Sequence, residues 1–400
     1  MDLDLARRLS QTNGTRIMLF VMDGLGGLPH PQTGKTELQT ARTPNLDALA
    51  AESACGFTVP VAAGVTPGSG PGHLALFGYD PIQFDIGRGV LEAVGIDFDL
   101  GPDDVAARGN FCTVDRAGNI SDRRAGRISS ERCIELCERL RAVDLDGAEL
   151  FVEPVREHRF VLVLRGDGLS DAVADTDPQR EGVPPPAPAA AAPDGDATAA
   201  LVARFVEEAK RLLKDEPAAN MLTLRGFARR PHWPSMPDVF KLRPAAVAHY
   251  PMYRGLARLV GMEALPTGPG LDDSVATARE SWGRFDYFFL HYKYTDTAGE
   301  DGDFDRKVAK LEEADAAIPS LLALKPDVLL VTGDHSTPAV MAAHSWHPVP
   351  FMMRAPHTRP DTCAAFNELD LQKGSLGAFP AVEALPLALA HAGRLAKYGA

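Results

Sequence analysis

Short runs of consecutive apolar residues alternate with segments of helical periodicity at both ends of the chain. Ile17–Met22 is a continuous apolar run that ends at Asp23, as expected for a buried parallel strand followed by a turn. Residues 285–291 and 327–332 have the same character, and residues 303–324 between them carry apolar positions at helical spacing. This alternation predicts an α/β fold with a mainly parallel sheet flanked by helices. In such sheets, ligands bind beyond the carboxyl ends of the strands.

The middle of the chain has a different pattern, which predicts a smaller α+β unit. Residues 112–114 and Arg159–Arg165 favour strands, and residues 131–143 favour a helix. The Pro- and Ala-rich residues 183–193 have no packing pattern and are typical of a stiff surface connector. We therefore predict a core domain interrupted by an inserted lid domain, with the core at 1–109 and 184–400 and the lid at 110–183.

Composition and charge limit the classes of molecule that this protein is expected to bind. The chain has 54 acidic and 41 basic residues, a net charge of −13, which argues against a nucleic-acid partner but leaves room for a small anionic substrate. The first apolar run is too short for a signal peptide, and no run reaches membrane-spanning length. The five cysteines show no C-x-x-C spacing, which argues against disulfides or a zinc knuckle. We expect a cytoplasmic protein without a membrane partner, and the pattern leaves open whether it forms a homo-oligomer.

Polar residues cluster directly after three of the predicted strands and in one glycine-rich loop. Singly, each cluster is more typical of a turn or a helix cap, but together they favour a metal site. Asp, Glu and His donors suit Mn²⁺, Mg²⁺, Co²⁺ or Zn²⁺, and two such ions about 3.5–4 Å apart would clamp a phosphoryl group. Ser69 lies in the glycine-rich loop before a predicted helix, and its hydroxyl is the candidate for activation by these ions. The sequence therefore predicts phosphoryl transfer through a phosphoserine. The four clusters are 23–26, 66–73, 294–303 and 332–337.

The order and content of the motifs resemble the archaeal-type cofactor-independent phosphoglycerate mutases of the alkaline phosphatase superfamily. The resemblance covers nearly the whole chain, in the family's order. It is carried by residues 23–26, 43–46, 67–69, 73–81, 88–93, 108–111, 122–127, 157–159, 175–178, 302–304 and 331–338.

The resemblance implies an alkaline-phosphatase-like core, a substrate-binding lid and two divalent metal ions, with Mn²⁺ expected and no need for 2,3-bisphosphoglycerate. It makes Ser69 the nucleophile and Arg254 a second catalytic residue. It also implies that one ion is held by Asp23, Ser69, Asp334 and His335, and the other by Asp296, Glu300 and His344. His347 is an alternative to His344 in the same motif.

The sequence departs from the family pattern at three positions. Glu300 stands where the family usually has His, Gly70 where it usually has Asp, and Arg254 where a Lys is expected. A carboxylate at 300 is a harder ligand, which favours Mn²⁺ or Mg²⁺. An Arg can stabilise phosphoryl charge but cannot donate a proton at neutral pH.

Arginines in the middle of the chain are candidates for substrate binding, because Arg can recognise carboxylate and phosphate with two parallel hydrogen bonds. The alternative interpretation of this patch is a solvated, arginine-rich turn. The candidates are Arg88, Arg123, Arg124, Arg127 and Arg159.

We therefore expect an isomerase of glycolysis and gluconeogenesis that interconverts 3-phosphoglycerate and 2-phosphoglycerate through a phosphoserine. Glu300 and Gly70 motivate a first alternative, a metal-dependent phosphatase or a mutase of another phosphorylated metabolite. A lesser alternative is a non-catalytic sensor of such a metabolite.

Overall fold

The structure is a computed structural model that describes residues 1–399. The chain forms two compact units. The larger consists of Met1–Asp85 and of the chain from Trp233 onward, and the smaller is Ile86–His232.

The larger unit is formed by two separate stretches of the chain, and the smaller unit by the stretch between them. The first part of the larger unit contains α1 (Leu3–Leu9), β1 (Ile17–Met22), α2 (Glu37–Thr40), α3 (Pro44–Ala50), β2 (Ala54–Val59) and α4 (Ser69–Leu76). The smaller unit contains α5 (Arg88–Gly95), β3 (Val105–Val114), β4 (Ile120–Asp122), α6 (Ser130–Leu140), β5 (Glu149–Arg156), β6 (Arg159–Arg165), α7 (Asp196–Leu213) and β7 (Met221–Arg229). The last part of the larger unit contains α8 (Met236–Phe240), β8 (Pro244–Ala248), α9 (Pro251–Leu259), β9 (Glu263–Leu265), α10 (Leu271–Ser281), β10 (Tyr287–Tyr292), α11 (Tyr294–Glu300), α12 (Phe304–Ala323), β11 (Val328–Thr332), β12 (Val349–Arg354), β13 (Gly377–Pro380) and α13 (Ala384–His391).

The sheet of the larger unit places three parallel strands side by side at its centre. Its order over the described residues is β13-β2-β12-β11-β1-β10-β8-β9, and β12 runs antiparallel to both of its neighbours. Strand β1 pairs in parallel with β10 and β11, with Met22 opposite Tyr292 and Val21 opposite Thr332. The carboxyl ends of these three strands therefore meet at one edge of the sheet.

The central strands are almost entirely apolar, as is typical of parallel strands that are buried on both faces. Every residue of β1, β10 and β11 is buried. Phe20 and Phe288 lie in one buried apolar cluster with Leu46 of α3, Val275 of α10 and Leu311 of α12. Packing against these helices thus fixes the positions of the central strands, and therefore of the residues at their carboxyl ends.

The smaller unit is built on an antiparallel sheet with its own core. Strand β3 pairs with β4, β6 and β7, and β6 pairs with β5. Phe111 and Phe160 of this sheet share a buried cluster with Leu136 of α6 and Phe205 of α7. The predicted fold class, a mainly parallel α/β core with a smaller α+β unit, is confirmed.

The predicted boundaries of the inserted unit, 110 and 183, both fall inside the compact unit Ile86–His232. Strand β3 begins at Val105 and pairs with β7, which lies beyond the predicted end, so the sheet cannot be divided there. The Pro- and Ala-rich residues, predicted to form a stiff surface connector, are hydrogen-bonded to the smaller unit at two points. The Val183 carbonyl accepts a hydrogen bond from Ile120 N (2.9 Å), and Ala191 N donates to Ala172 O (2.8 Å).

None of the helices formed by residues 1–399 combines the length and the apolar content that crossing a membrane needs.

Candidate functional site

Three buried acidic side chains lie just beyond the carboxyl ends of β1, β10 and β11. Asp23 follows β1 directly, Asp334 follows β11 after one glycine, and Asp296 lies in the first turn of α11, which follows β10. Each of these residues is fully buried. The parallel register of the three strands therefore brings together carboxylates that are far apart in sequence.

Ser69 joins the first of two ligand sets at this edge. It is the first residue of α4, and its Oγ lies 3.2 Å from His335 Nε2. The same nitrogen lies 3.3 Å from Asp23 Oδ1 and 3.1 Å from Asp334 Oδ2. Helix α4 approaches this closely because Gly72 has no side chain: a Cβ there would lie 2.3 Å from the Asp334 carbonyl oxygen. The structure thus brings together Asp23, Ser69, Asp334 and His335.

The second set lies beside the first. His344 Nε2 is 3.5 Å from Asp296 Oδ1 and 3.5 Å from Glu300 Oε1, and the latter two residues lie one turn apart on α11. The imidazole of His344 stacks on that of His335, with ring centroids 3.7 Å apart. The Glu300 side chain is 55% exposed, unlike the buried carboxylates of the first set. Glu300 is therefore the member of the second set that is exposed to solvent.

Two hydrogen bonds at the Thr337 hydroxyl connect the two sets and determine the direction in which His335 Nδ1 takes part. The Thr337 hydroxyl donates to Asp296 Oδ1 (2.6 Å), and His335 Nδ1 lies 2.9 Å from the same hydroxyl oxygen. Because the hydroxyl proton is directed to the carboxylate, His335 Nδ1–H must be the donor to Thr337. The lone pair of His335 Nε2 is then directed towards the first set.

The donor atoms of the first set fit a divalent cation. Among residues 1–399, the buried atoms Asp23 Oδ1 and Asp334 Oδ2 have no hydrogen-bond partner. Buried polar atoms normally have a hydrogen-bond partner. These two carboxylate oxygens and the nearby imidazole lone pair are all electron-pair donors, so a cation between them would supply the missing partner. Ligand atoms of Asp23, Asp334 and His335, and likewise those of Asp296, His335 and His344, lie within 4.8 Å of one another.

The electrostatics of the site favour positive charge. Burial and the nearby Asp23 carboxylate raise the pKa of Asp296. His344 would have a low pKa from burial alone, yet the Glu300 carboxylate and neighbouring acceptors raise its pKa to about 9. These shifts reflect an excess of acidic groups that a bound cation would neutralise.

Lys293 is a site residue that the sequence patterns did not identify. Its Nζ lies 2.5 Å from Asp296 Oδ2, 3.2 Å from Asp23 Oδ2 and 3.0 Å from the Tyr253 hydroxyl. His291 Nε2 also contacts Asp23 Oδ2, at 3.0 Å. Both residues lie at the carboxyl end of β10, so their place at a strand end was a signal that could have found them.

Two other predicted residues take different positions. The Arg254 guanidinium on α9 donates from Nη1 to the His249 carbonyl (3.0 Å), and the role predicted for it stays a prediction. His347, the alternative to His344, has its Nδ1 3.1 Å from Ser345 Oγ and stacks on Trp346. His344 is thus the member of this pair that contacts the acidic residues.

The smaller unit contains a cluster of arginines that includes two predicted residues. Arg108 Nη1 lies 3.3 Å from Glu92 Oε1, which neutralises part of its charge. The positive charges of Arg159, Arg225 and Arg88 are close enough to repel the Arg108 guanidinium. Burial and these three cations lower the pKa of Arg108 to about 10. The buried Nε atoms of Arg108 and Arg225 have no hydrogen-bond partner among residues 1–399. Such an excess of buried positive charge favours an anionic ligand. Arg108 and Arg225 were missed because each lies within a strand pattern.

The other predicted arginines differ in their surroundings. Arg123 donates from Nη2 to Asp177 Oδ2 (2.9 Å) and Oδ1 (3.1 Å), so its charge is largely compensated. Arg124 and Arg127 are exposed residues of the turn after β4. Arg88 begins α5, and Arg159 begins β6.

Comparisons with known proteins decide the family. Residues 50–219 match the sequence model of the family described as 2,3-bisphosphoglycerate-independent phosphoglycerate mutase. A Thermus thermophilus protein named "Probable 2,3-bisphosphoglycerate-independent phosphoglycerate mutase" is 50% identical over 406 residues, covering 100% of each chain. A Thermotoga neapolitana protein of the same name is 50% identical and covers 98% of each chain. The chain belongs to this mutase family.

Solved structures agree with the family. A Pyrococcus horikoshii protein has a TM-score of 0.83 and 28% identity, covering 97% of this chain and 100% of its own. A Thermoplasma acidophilum structure, titled a cofactor-independent phosphoglycerate mutase, has a TM-score of 0.72 and 30% identity, covering 94% and 100%. The predicted membership of the phosphoglycerate mutase family is therefore confirmed.

In this mutase family member, the arginine cluster predicts an unusual titration of the buried His158. Burial and the charges of Arg159, Arg108 and Arg124 lower the pKa of His158 to about 4. In a proton NMR titration, the His158 ring resonance, assigned by its loss in His158→Gln, should shift with a midpoint near pH 4. Since unfolded His titrates near pH 6.5, the unfolded state takes up this proton first, and stability falls as pH drops from about 6.5 to 4. A midpoint above pH 6 would contradict the described surroundings.

Proposed function

We propose that this chain interconverts 3-phosphoglycerate and 2-phosphoglycerate through a phosphoserine at Ser69, without 2,3-bisphosphoglycerate. The observation that carries the proposal is the convergence of Ser69 Oγ with Asp23, Asp334 and His335, three donors at one strand edge. The family's name supports the same reaction. In the cell, the chain would act in glycolysis and gluconeogenesis on a phosphorylated carboxylic acid.

Two divalent ions fit the two ligand sets. The first would be held by Asp23, Ser69, Asp334 and His335, and the second by Asp296, Glu300 and His344. When bound, the ions would lower the pKa of the Ser69 hydroxyl and stabilise charge on the transferred phosphoryl group. Oxygen donors predominate, and Glu300 adds one more, so we propose Mn²⁺ ahead of Mg²⁺, Co²⁺ or Zn²⁺.

Ser69 performs the covalent chemistry. The Ser69 hydroxyl loses its proton and its Oγ attacks phosphorus; the bond from phosphorus to the 3-oxygen of 3-phosphoglycerate breaks, and that oxygen takes up a proton to leave glycerate. The 2-hydroxyl of the retained glycerate then loses its proton and attacks phosphorus, the bond from phosphorus to Ser69 Oγ breaks, and Oγ takes up a proton, which restores Ser69. Because Ser69 is the first residue of α4, the N–H groups of residues 69 and 70 are the ones at this helix end that would face the phosphoryl oxygens; Pro71 has none. Arg254 is proposed to stabilise the same charge.

The arginine cluster is the proposed anchor for the substrate's anionic groups. The predicted Arg88, Arg123, Arg124, Arg127 and Arg159 are joined in this role by Arg108 and Arg225. Arg108 and Arg225 carry the strongest argument, because their guanidinium groups are mostly buried and incompletely paired. Retaining glycerate matters because its escape would turn the mutase into a phosphatase.

Replacement of the nucleophile tests the reaction. Ser69→Ala should lower the mutase rate by about 10⁴-fold or more, since a covalent route loses its attacking atom. The assay follows 2-phosphoglycerate formed from 3-phosphoglycerate, without 2,3-bisphosphoglycerate and with Mn²⁺ present. Ser375→Ala, at an exposed serine before β13, is the control and should retain full activity.

Each alternative gives a different result in that assay. Release of phosphate without 2-phosphoglycerate by the unaltered chain would favour a phosphatase, which Glu300 and Gly70 suggest. Binding without turnover would favour a sensor. Mutase activity retained in Ser69→Ala would contradict the phosphoserine route.

Neutralising a buried arginine tests the substrate anchor. Arg225→Gln should raise KM for 3-phosphoglycerate about tenfold, with a smaller change in kcat, because the contact to a fixed anionic group is similar in the ground and transition states. The control Arg211→Gln changes an exposed arginine of α7 that pairs with Glu208. An unchanged KM in Arg225→Gln would remove Arg225 from the anchor.

A further inference from the structure

Lys307 is a fully buried lysine on α12 whose ammonium binds three backbone carbonyl groups. Its side chain is 0% exposed. Nζ donates to Gly24 O at 2.9 Å, to Gly26 O at 3.0 Å and to Thr337 O at 2.8 Å. All three donors of the ammonium are used, so its position is fully determined.

The three carbonyl groups belong to the two loops that carry the proposed metal ligands. Gly24 directly follows Asp23 and has a φ of +63°, a left-handed backbone conformation that favours glycine. A Cβ at Gly24 would lie 2.6 Å from Thr337 Oγ1, which shows how closely the two loops approach. Thr337 lies two residues after His335 and donates to Asp296. One ammonium group therefore fixes the spacing between residues of both ligand sets.

Two glutamates, the buried Glu37 and the partly buried Glu368, complete this network from the other side. Glu37 Oε1 lies 3.8 Å from Lys307 Nζ and accepts a hydrogen bond from Ala339 N (2.8 Å). Glu368 Oε1 accepts from Gly27 N (2.8 Å). Both acids therefore bind the backbone of the same two loops, just beyond the carbonyl groups that Lys307 holds.

Stability alone gives little reason for a charged network at this place. Burying an ammonium and carboxylates carries a large desolvation cost that pairing must offset, and well-packed apolar residues often stabilise a fold as well or better. What an ammonium provides and an apolar side chain does not is direct attachment of carbonyl groups from two separate loops. The network thus has the properties of a support for ligand geometry.

We propose that Lys307 is a positioning residue that holds the loop after β1 and the loop after β11 at the spacing both metal ions require. The inference rests on the proposed two-metal site. It assigns Lys307 no contact with substrate or with an ion, because its effect passes through backbone carbonyl groups.

The test compares Lys307→Met with Lys310→Met, one turn further along α12. Lys310 is partly exposed and pairs with Glu313 at 2.6 Å, so its loss should leave the site intact. Mn²⁺ binding to metal-free protein is measured by calorimetry, alongside thermal unfolding by circular dichroism. We expect Kd for Mn²⁺ to rise about 10- to 100-fold in Lys307→Met, as for other residues that orient ligands, and less than about twofold in Lys310→Met.

A purely structural role would lower the unfolding temperature of Lys307→Met and leave Kd unchanged, and that result would overturn the inference. If Lys307→Met does not fold, Lys307→Gln, which retains two N–H donors, is measured instead. A Kd increase of about threefold or more there supports the inference, and a smaller one contradicts it. Failure of the unaltered chain to bind Mn²⁺ would instead contradict the proposed function, on which the inference rests.

Discussion

The accumulation of unpaired acceptor atoms at one edge of the sheet is the constraint on which the rest of the structure depends. Asp23, Asp296 and Asp334 are buried side by side, where carboxylates repel one another and lose hydration. Lys293 compensates only part of this charge. Divalent cations would neutralise the remaining negative charge. The parallel strands, the close approach of α4 at Gly72 and the Lys307 network hold the acceptor atoms together.

The charge distribution shows why a protein of net charge −13 can act on an anion. Several acidic side chains are concentrated at one strand edge of the larger unit, where bound metal ions would neutralise their negative charge. The smaller unit carries the opposite excess around Arg108 and Arg225, where burial lowers the pKa values of the guanidinium groups. A phosphorylated carboxylic acid carries two kinds of anionic group, and metal ions and arginines are the two kinds of partner that bind such groups.

Strand-end motifs were predictable from the sequence because the apolar runs of β1, β10 and β11 end close to the acidic residues themselves. The smaller unit was less predictable. Its boundaries depend on the pairing of β3 with β7, a contact between distant segments that leaves no local pattern. Lys307 was hidden for a related reason: a lysine on a periodic helix is usually solvated, and only tertiary structure places carbonyl groups around it.

Direct detection of a phosphoryl group on Ser69 during turnover is the most direct test of the proposed reaction. The metal-loaded chain would be mixed with 3-phosphoglycerate, quenched in acid within one turnover and digested, and the peptides analysed by mass spectrometry. The peptide containing Ser69 should gain the mass of one phosphoryl group, and fragmentation should place that group on the serine. An unmodified Ser69 peptide at every quench time, while 2-phosphoglycerate accumulates, would exclude a phosphoserine at this position.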